Sequence, residues 1–234
     1  MLSRFLEISL HSPDILTSLD FYRGLGFKEL LTSDAHPHPY AVTSDGRACI
    51  GLHQRAADAP VISFVVPELA AVVARGLPEG LEPIYTRLGE DDFHEAGFVD
   101  GDGHVLTFLE ARTFSPPAFG SDETSLLGYF EGIVLPSSDL DTAAARWESL
   151  GFVALDDPES SAGSVLLTSD ALNVHLRDRA QNREPALLFS GPDLEARIAL
   201  LKQRDFAFEQ EIPGKRGACL KTPEGLAIRL LGDS

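Results

Sequence analysis

Leu6-Glu7-Ile8-Ser9-Leu10 alternates apolar and polar residues, the pattern of a strand with one face on a core. Beyond Ser12-Pro13-Asp14 the period changes. Ile15, Leu16, Leu19, Phe21 and Tyr22 return at helical spacing, Ser12 or Asp14 can cap the first turn, and Gly24 or Gly26 can end the helix. Residues 28–31, 40–43 and 48–53 then read as three strands, so the order is βαβββ and the module closes near Gln54. A second module opens with a strand over 61–66 and a helix over 68–75. It ends with the turn Asp100-Gly101-Asp102-Gly103 before a strand over 104–110. Further along, 130–135 and 186–189 are the corresponding first strands, and 141–150 and 194–202 the helices.

The two halves repeat at one offset. Leu25-Gly26-Phe27 returns as Leu150-Gly151-Phe152, Thr43-Ser44-Asp45 as Thr168-Ser169-Asp170, Pro67-Glu68-Leu69 as Pro192-Asp193-Leu194, and Asp14 as Asp139, each 125 residues on (150 − 25 = 125). This is the mark of an internal duplication. It predicts a first domain over 1–112 with modules at about 5–54 and 60–112, a Pro/Gly/Ser-bearing linker over 113–128, and a second domain over 129–234 with modules at about 129–178 and 185–232. The fold class is α+β.

Composition narrows the function. The 234 residues are 44% hydrophobic, enough for real cores, and carry 36 acidic against 19 basic residues for a net charge of −17. No basic stripe interrupts this balance, which argues against nucleic acid and against an acidic membrane surface as partners. The first ten residues form neither a signal peptide nor a spanning segment, so a cytoplasmic protein is expected. Cys49 and Cys219 lie in different halves outside any metal-ligand spacing and are expected to be reduced, partly buried thiols. No GxSxG, GxxxxGK[ST] or HExxH motif occurs, so the corresponding hydrolase, nucleotide-hydrolysis and metalloprotease readings have no support.

The βαβββ order, with Asp14, Phe21-Tyr22 and Leu25-Gly26-Phe27 followed by Asp100-Gly101-Asp102-Gly103, resembles the glyoxalase/bleomycin-resistance/extradiol-dioxygenase superfamily, the vicinal-oxygen-chelate proteins. In the second half Arg146-Trp147 stands where Phe21-Tyr22 would. The resemblance implies two eight-stranded sheets, each curled into a cup with helices outside and a ligand inside. It also implies that four modules in one chain can pair internally as a monomer, with a homodimer as the alternative.

Strand parity selects the side chains that would face such a ligand: Glu7, Ser9 and, at the strand end, His11, then Cys49, Gly51 and His53, then Val61, Ser63 and Val65, then Val105, Thr107 and Leu109. These walls are mostly apolar with a few polar groups, as in many small-molecule sites. Metal-using members of the superfamily place His, Gln or Glu at four points. By the resemblance those points fall on Glu7, Gly51, Val61 and Thr107 in the first half, and on Gly132 (or Glu131), His175, Ala186 and Arg229 in the second.

One donor in four holds no catalytic ion, and an arginine repels one. No metal or other cofactor is therefore expected, although His53 or His94 could rescue a shifted divalent site in the first domain. Arg229, near His175 and Asn173, reads as an anion-binding residue or as a buried ion-pair partner. Glu7 reads as a general base if apolar walls surround it, although a place at the rim in water is the preferred expectation. His36-Pro37-His38-Pro39-Tyr40 reads as a solvated loop, with a lid as the alternative, Glu90-Asp91-Asp92 as a solvated turn and Trp147 as core.

The leading expectation is a metal-independent, bleomycin-resistance-like protein binding a small apolar or aromatic molecule through Glu7, Ser9, His53, Ser63, Thr107, His175 and Arg229, rather than a conventional metal-dependent glyoxalase. The alternatives are a metal-dependent lyase, isomerase or dioxygenase and a degenerate interaction module.

Overall fold

Each change of period in the sequence becomes a change of element in the computed structural model, which describes residues 4–32, 36, 38–57, 59–76, 80–90, 93–111, 125–155, 163–211 and 217–232. The first half gives β1 (Arg4–His11), α1 (Ile15–Gly24), β2 (Lys28–Leu30), β3 (Tyr40–Ser44), β4 (Cys49–His53), β5 (Val61–Val66), α2 (Leu69–Ala74), β6 (Leu81–Arg87), β7 (Glu95–Asp100) and β8 (Val105–Glu110). The second gives β9 (Tyr129–Ser137), α3 (Leu140–Ser149), β10 (Val153–Leu155), β11 (Ser164–Thr168), β12 (Asn173–Asp178), β13 (Ala186–Gly191), α4 (Leu194–Gln203), β14 (Gln210–Glu211), β15 (Gly217–Lys221) and β16 (Ala227–Gly232). Most of the expected linker, 113–124, lies outside the described residues, as do Asp91 and Asp92.

Two eight-stranded sheets result, in the orders β2-β3-β4-β1-β5-β8-β7-β6 and β10-β11-β12-β9-β13-β16-β15-β14. Each half of the chain builds one sheet, and the orders correspond strand for strand. The pairings β5–β8 and β13–β16 are parallel, while β1–β5 and β9–β13 are antiparallel. A sheet with helices attached to its modules is the predicted α+β architecture.

The duplication is visible in the helix starts. Asp14 accepts the Thr17 amide at 3.2 Å and its hydroxyl at 2.8 Å, and Asp139 accepts the Thr142 amide at 3.0 Å and its hydroxyl at 2.7 Å. These bonds satisfy donors that the first turn leaves unpaired and hold both carboxyls below their ordinary value. Gly26 and Gly151 follow the two helices at φ of 95° and 104°, a left-handed geometry in which glycine is unstrained.

Compact packing does not follow the halves. One unit comprises Met1–Ser9, Ala59–Pro116 and Leu135–Arg183, and the other Leu10–Asp58, Pro117–Val134 and Glu184–Ser234, so each takes one module from each half. In the first unit Phe64 stacks on Phe108 at 5.6 Å and meets Phe152 edge-on at 6.3 Å, and Phe152 in turn meets the buried Trp147 at 4.9 Å. The Asp100–Gly103 turn is clasped by the third module. Arg146 pairs with Asp100 at 3.1 Å, Ser137 and Ser138 donate hydroxyls to Asp102, and His104 reaches the Pro136 carbonyl at 2.8 Å. Burial raises the Asp102 carboxyl, but these serine bonds outweigh it and hold the group low.

The second unit repeats the device. Ser18 and Tyr22 donate to Glu224 in the turn after β15, while Phe21 meets Phe206 at 5.3 Å and Phe27 meets Phe189 at 6.5 Å. Burial and the facing Glu224 push the Tyr22 phenol well above its ordinary value. Both cysteines are free thiols.

Candidate functional site

In the first unit, strand register draws a line of side chains across five strands. Glu7 lies opposite Ser63, Ser63 opposite Thr107, Thr107 opposite Gly97, and Gly97 opposite Tyr85. Directly paired residues share a face. Glu7, Ser63 and Thr107 are 2%, 4% and 6% exposed, so the preferred expectation of Glu7 at a wetted rim is corrected: the parity that pairs it with Ser63 holds, and that face is covered.

Ser9 donates to Glu7 at 2.8 Å and shares a hydrogen bond with Ser63 at 2.8 Å. At the far end, the Tyr85 hydroxyl donates to Glu95 and lies 3.4 Å from the Thr107 hydroxyl, and Arg87 stands 3.6 Å from Glu95. Beside this line runs a second one on the same face, Ser9–Val61–Val105–Val99, whose members are half-buried. An acidic, hydroxylated floor therefore adjoins an apolar wall.

In the second unit the approach to β3 lies beside the end of β4. Tyr40 pairs with His53, and the ladder continues one step outward through the Gln54 amide and the Pro39 carbonyl at 3.0 Å. This brings His38 Nε2 within 3.0 Å of His53 Nδ1, and the His36 ring within 5.1 Å of His53 and 4.7 Å of Tyr40. One ligand atom from each of His36, His38 and His53 falls within a 4.8 Å group, and all three residues are partly buried. The expectation of a solvated loop is corrected at His36, His38 and Tyr40, which are half-buried against His53, while Pro37 lies outside the described residues. The backbone bond at Pro39, next to His38, extends the hairpin by one step. The other rescue candidate, His94, is engaged elsewhere, 3.3 Å from Glu110 and 3.2 Å from the Gly89 carbonyl.

No family model matches the chain, and no curated protein matches it. Solved structures do. A variant of homoprotocatechuate 2,3-dioxygenase from Brevibacterium fuscum superposes with a TM-score of 0.63 at 14% identity, over 99% of this chain and 71% of that one. The 2,3-dioxygenase LapB from Pseudomonas sp. KL28 gives 0.59 at 14% identity over 99% and 92%, and a catechol 2,3-dioxygenase gives 0.60 at 15% over 98% and 87%. The chain has the vicinal-oxygen-chelate fold. At this identity the likeness speaks for architecture and leaves chemistry to the residues.

The positions at which the sequence resemblance expects metal ligands, Glu7, Gly51, Val61 and Thr107, do not fit a metal here. Gly51 and Val61 offer no donor atom, and Thr107 is hydrogen-bonded within the floor. The histidine group has the donor set instead. His38 Nε2 and His53 Nδ1 share a hydrogen bond at 3.0 Å, near the roughly 3.3 Å that separates imidazole nitrogens bound at about 2.0–2.1 Å to a tetrahedral ion, which would replace the shared proton.

The second sheet of the fold carries less. Val134, Ala186, Leu188 and Ala227 form a buried apolar cluster against which Cys219 and Leu231 pack, and Arg229 lies between Leu188 and Cys219 on neighbouring strands. Burial pushes the Cys219 thiol above its ordinary value. His175 is half-buried on β12 opposite Leu166, and Glu131 accepts from Ser190. Of the seven expected ligand residues, the structure joins Glu7, Ser9, Ser63 and Thr107 in one array. It places His53 in the histidine group and His175 and Arg229 on the second sheet. Sequence reading missed Tyr85, Glu95 and Gly97.

Proposed function

We propose that the protein is a metal-dependent enzyme of the vicinal-oxygen-chelate fold that acts on a small, largely apolar molecule bearing oxygen donors, with His36, His38 and His53 as the protein ligands of the ion. One observation carries this reading: three imidazoles converge within 4.8 Å at the end of the β3–β4 hairpin. A three-histidine set suits zinc, iron, cobalt, nickel or manganese and leaves coordination positions open. When bound, the ion would polarise an oxygen of the substrate or activate water.

The protein's own part is to orient the ligands. Strand pairing fixes His53, the ladder through Pro39 fixes His38, and the Tyr40 ring packs against both His36 and His53 at 4.7 and 4.8 Å. Because imidazole must be neutral to bind a metal, affinity falls as acid is added. The similar solved structures include an extradiol ring-cleaving dioxygenase, so oxidative cleavage of catechol is the first activity to assay. A monomer in a reducing cytoplasm, where Cys49 and Cys219 remain thiols, belongs to the same reading.

A second reading, metal-free binding, is favoured by a specific observation: Gly51 and Val61 stand where the fold's usual ligands would, and an apolar wall adjoins a hydrogen-bonded floor. Elemental mass spectrometry of tag-free protein, followed by thermal-shift titration with Mn, Fe, Co, Ni and Zn, separates the two. The enzyme reading expects about one ion per chain, lost in His53→Ala, and a stabilisation that grows with metal concentration. Metal far below one per chain with no thermal shift would replace it with the metal-free reading.

A further inference from the structure

His36, His38 and His53 all belong to the first module, yet a chain of hydrogen bonds ties them to the fourth. The His53 carbonyl accepts the Ser12 amide at 2.9 Å, and the Gln54 side chain donates to the Pro13 carbonyl at 3.2 Å. Two bonds thus join the end of β4 to the turn that opens α1, while the Gln54 amide holds the Pro39 carbonyl beside His38. The Ser12 hydroxyl lies 2.7 Å from that of Ser18 on α1, and Ser18 donates to Glu224. A hydroxyl has one proton, and since Ser18 gives its own to the carboxylate, Ser12 must donate to Ser18. Both serines are buried, at 0% and 2% exposed, so water does not compete for these bonds.

Glu224 is in turn presented by a closed loop. Gly225 donates to the Thr222 carbonyl and Thr222 to the Leu226 carbonyl, each at 2.9 Å, and the Leu226 amide reaches the Thr222 hydroxyl at 3.2 Å. Every residue in this chain of contacts lies in one compact unit. The other unit contains the same clasp without the imidazoles. Its Asp102, followed like Glu224 by a glycine of positive φ, accepts the hydroxyl of Ser137, the counterpart of Ser12 125 residues on (137 − 12 = 125), and Asp178 stands where His53 would.

We propose that Glu224 is a positioning residue of the histidine metal site, acting through Ser18 and Ser12 on the backbone that carries His53. This rests on the reading of His36, His38 and His53 as ligands of an ion. A coordination site must hold its ligands to within about 0.5 Å, and the clasp supplies that constraint from a module that contributes no ligand. Coupling of this kind is reciprocal: the factor that Glu224 adds to metal affinity is returned by the bound ion as cohesion between the first and fourth modules.

The test titrates metal-free, tag-free full-length protein with Co(II) and follows the visible absorption of the bound ion, which reports ligand geometry as well as affinity. Glu224→Ala should bind Co(II) about tenfold more weakly and with an altered spectrum, the low end of the range for groups that stand behind metal ligands. Glu224→Gln, which keeps an oxygen to accept from Ser18, should restore most of the affinity. Ser12→Ala should reproduce the loss and add little to Glu224→Ala, because the two act in series. Ser12→Ala alone carries the test if Glu224→Ala does not fold. Asp102→Ala breaks the equivalent clasp in the other unit and should leave Co(II) binding unchanged. Wild-type protein that binds no Co(II) would sink the metal reading and this proposal with it. Wild-type binding whose affinity and spectrum survive Ser12→Ala and Glu224→Ala, or fall equally in Asp102→Ala, would overturn the positioning role alone.

Discussion

The pair Arg146–Asp100 ties α3 of the second half to β7 of the first, inside one compact unit. The side chains are 7% and 1% exposed and meet at 3.1 Å, so Arg146→Met, which keeps most of the volume, would leave an aspartate buried without its counter-charge. Removing one partner from a buried pair costs about 3–5 kcal/mol. Asp100 would retain the amides of Asp102 at 2.9 Å and His104 at 2.8 Å, which puts the expected loss near the lower end, about 3 kcal/mol. Trp147 is the chain's one tryptophan and is buried in the same unit, so its fluorescence follows this unfolding directly. With a urea slope of about 2 kcal/mol/M, the midpoint should fall by about 1.5 M. Adding Asp100→Asn should recover part of the loss, because the uncompensated charge is its main source. A midpoint that moves by less than about 0.3 M would refute the reasoning and mean that water or another cation serves Asp100 equally well.

Two smaller effects follow from the same structure. The Asp14 and Asp139 carboxyls are held low by their threonine bonds, so their contribution is present above the unfolded carboxylate value and lost as pH falls through the lower folded one. Asp139→Ala should accordingly lower the melting temperature at pH 7, with the gap from wild type closing in acid. The Cys219 thiol is raised by burial, so alkylation by iodoacetamide at pH 8 should be slower than that of glutathione; an equal or faster rate would contradict its placement.

Much of the architecture was legible because local rules and the duplication agreed. The alternation at Leu6–Leu10, the helical return at Ile15–Tyr22 and the aspartates 125 residues apart each correspond to an observed strand, helix or cap. Parity also placed Glu7, Ser9, Ser63 and Thr107 on one face, since direct cross-strand pairing preserves it. Tyr85 was not legible: Pro83 obscures a strand, and the bulge after it shifts the very parity on which a reading would rest. Gly97 looks like an ordinary strand glycine until the ring above it is seen. The histidines were hidden differently, because His-Pro spacing signals an extended loop and says nothing of a β4 neighbour 15 residues away. Which modules pack together depends on matched surfaces such as Phe64 with Phe152, and surfaces of that kind have no period to read.

The crossed composition of the two units also sets a timetable for synthesis. A module emerging first from the ribosome cannot complete its packing with the next one in line. The unit containing β5 to β8 lacks segments until Arg183 has been made, and α1 in the other unit waits for Phe206 and Glu224. The interval from Arg183 to Glu224 spans 41 residues (224 − 183 = 41), or about 2–8 s at ordinary translation speeds of about 5–20 residues per second. During that time Tyr22 lacks the Glu224 carboxylate to which it will donate. A nascent first module therefore carries the Phe21 and Tyr22 surface uncovered until the fourth module is made.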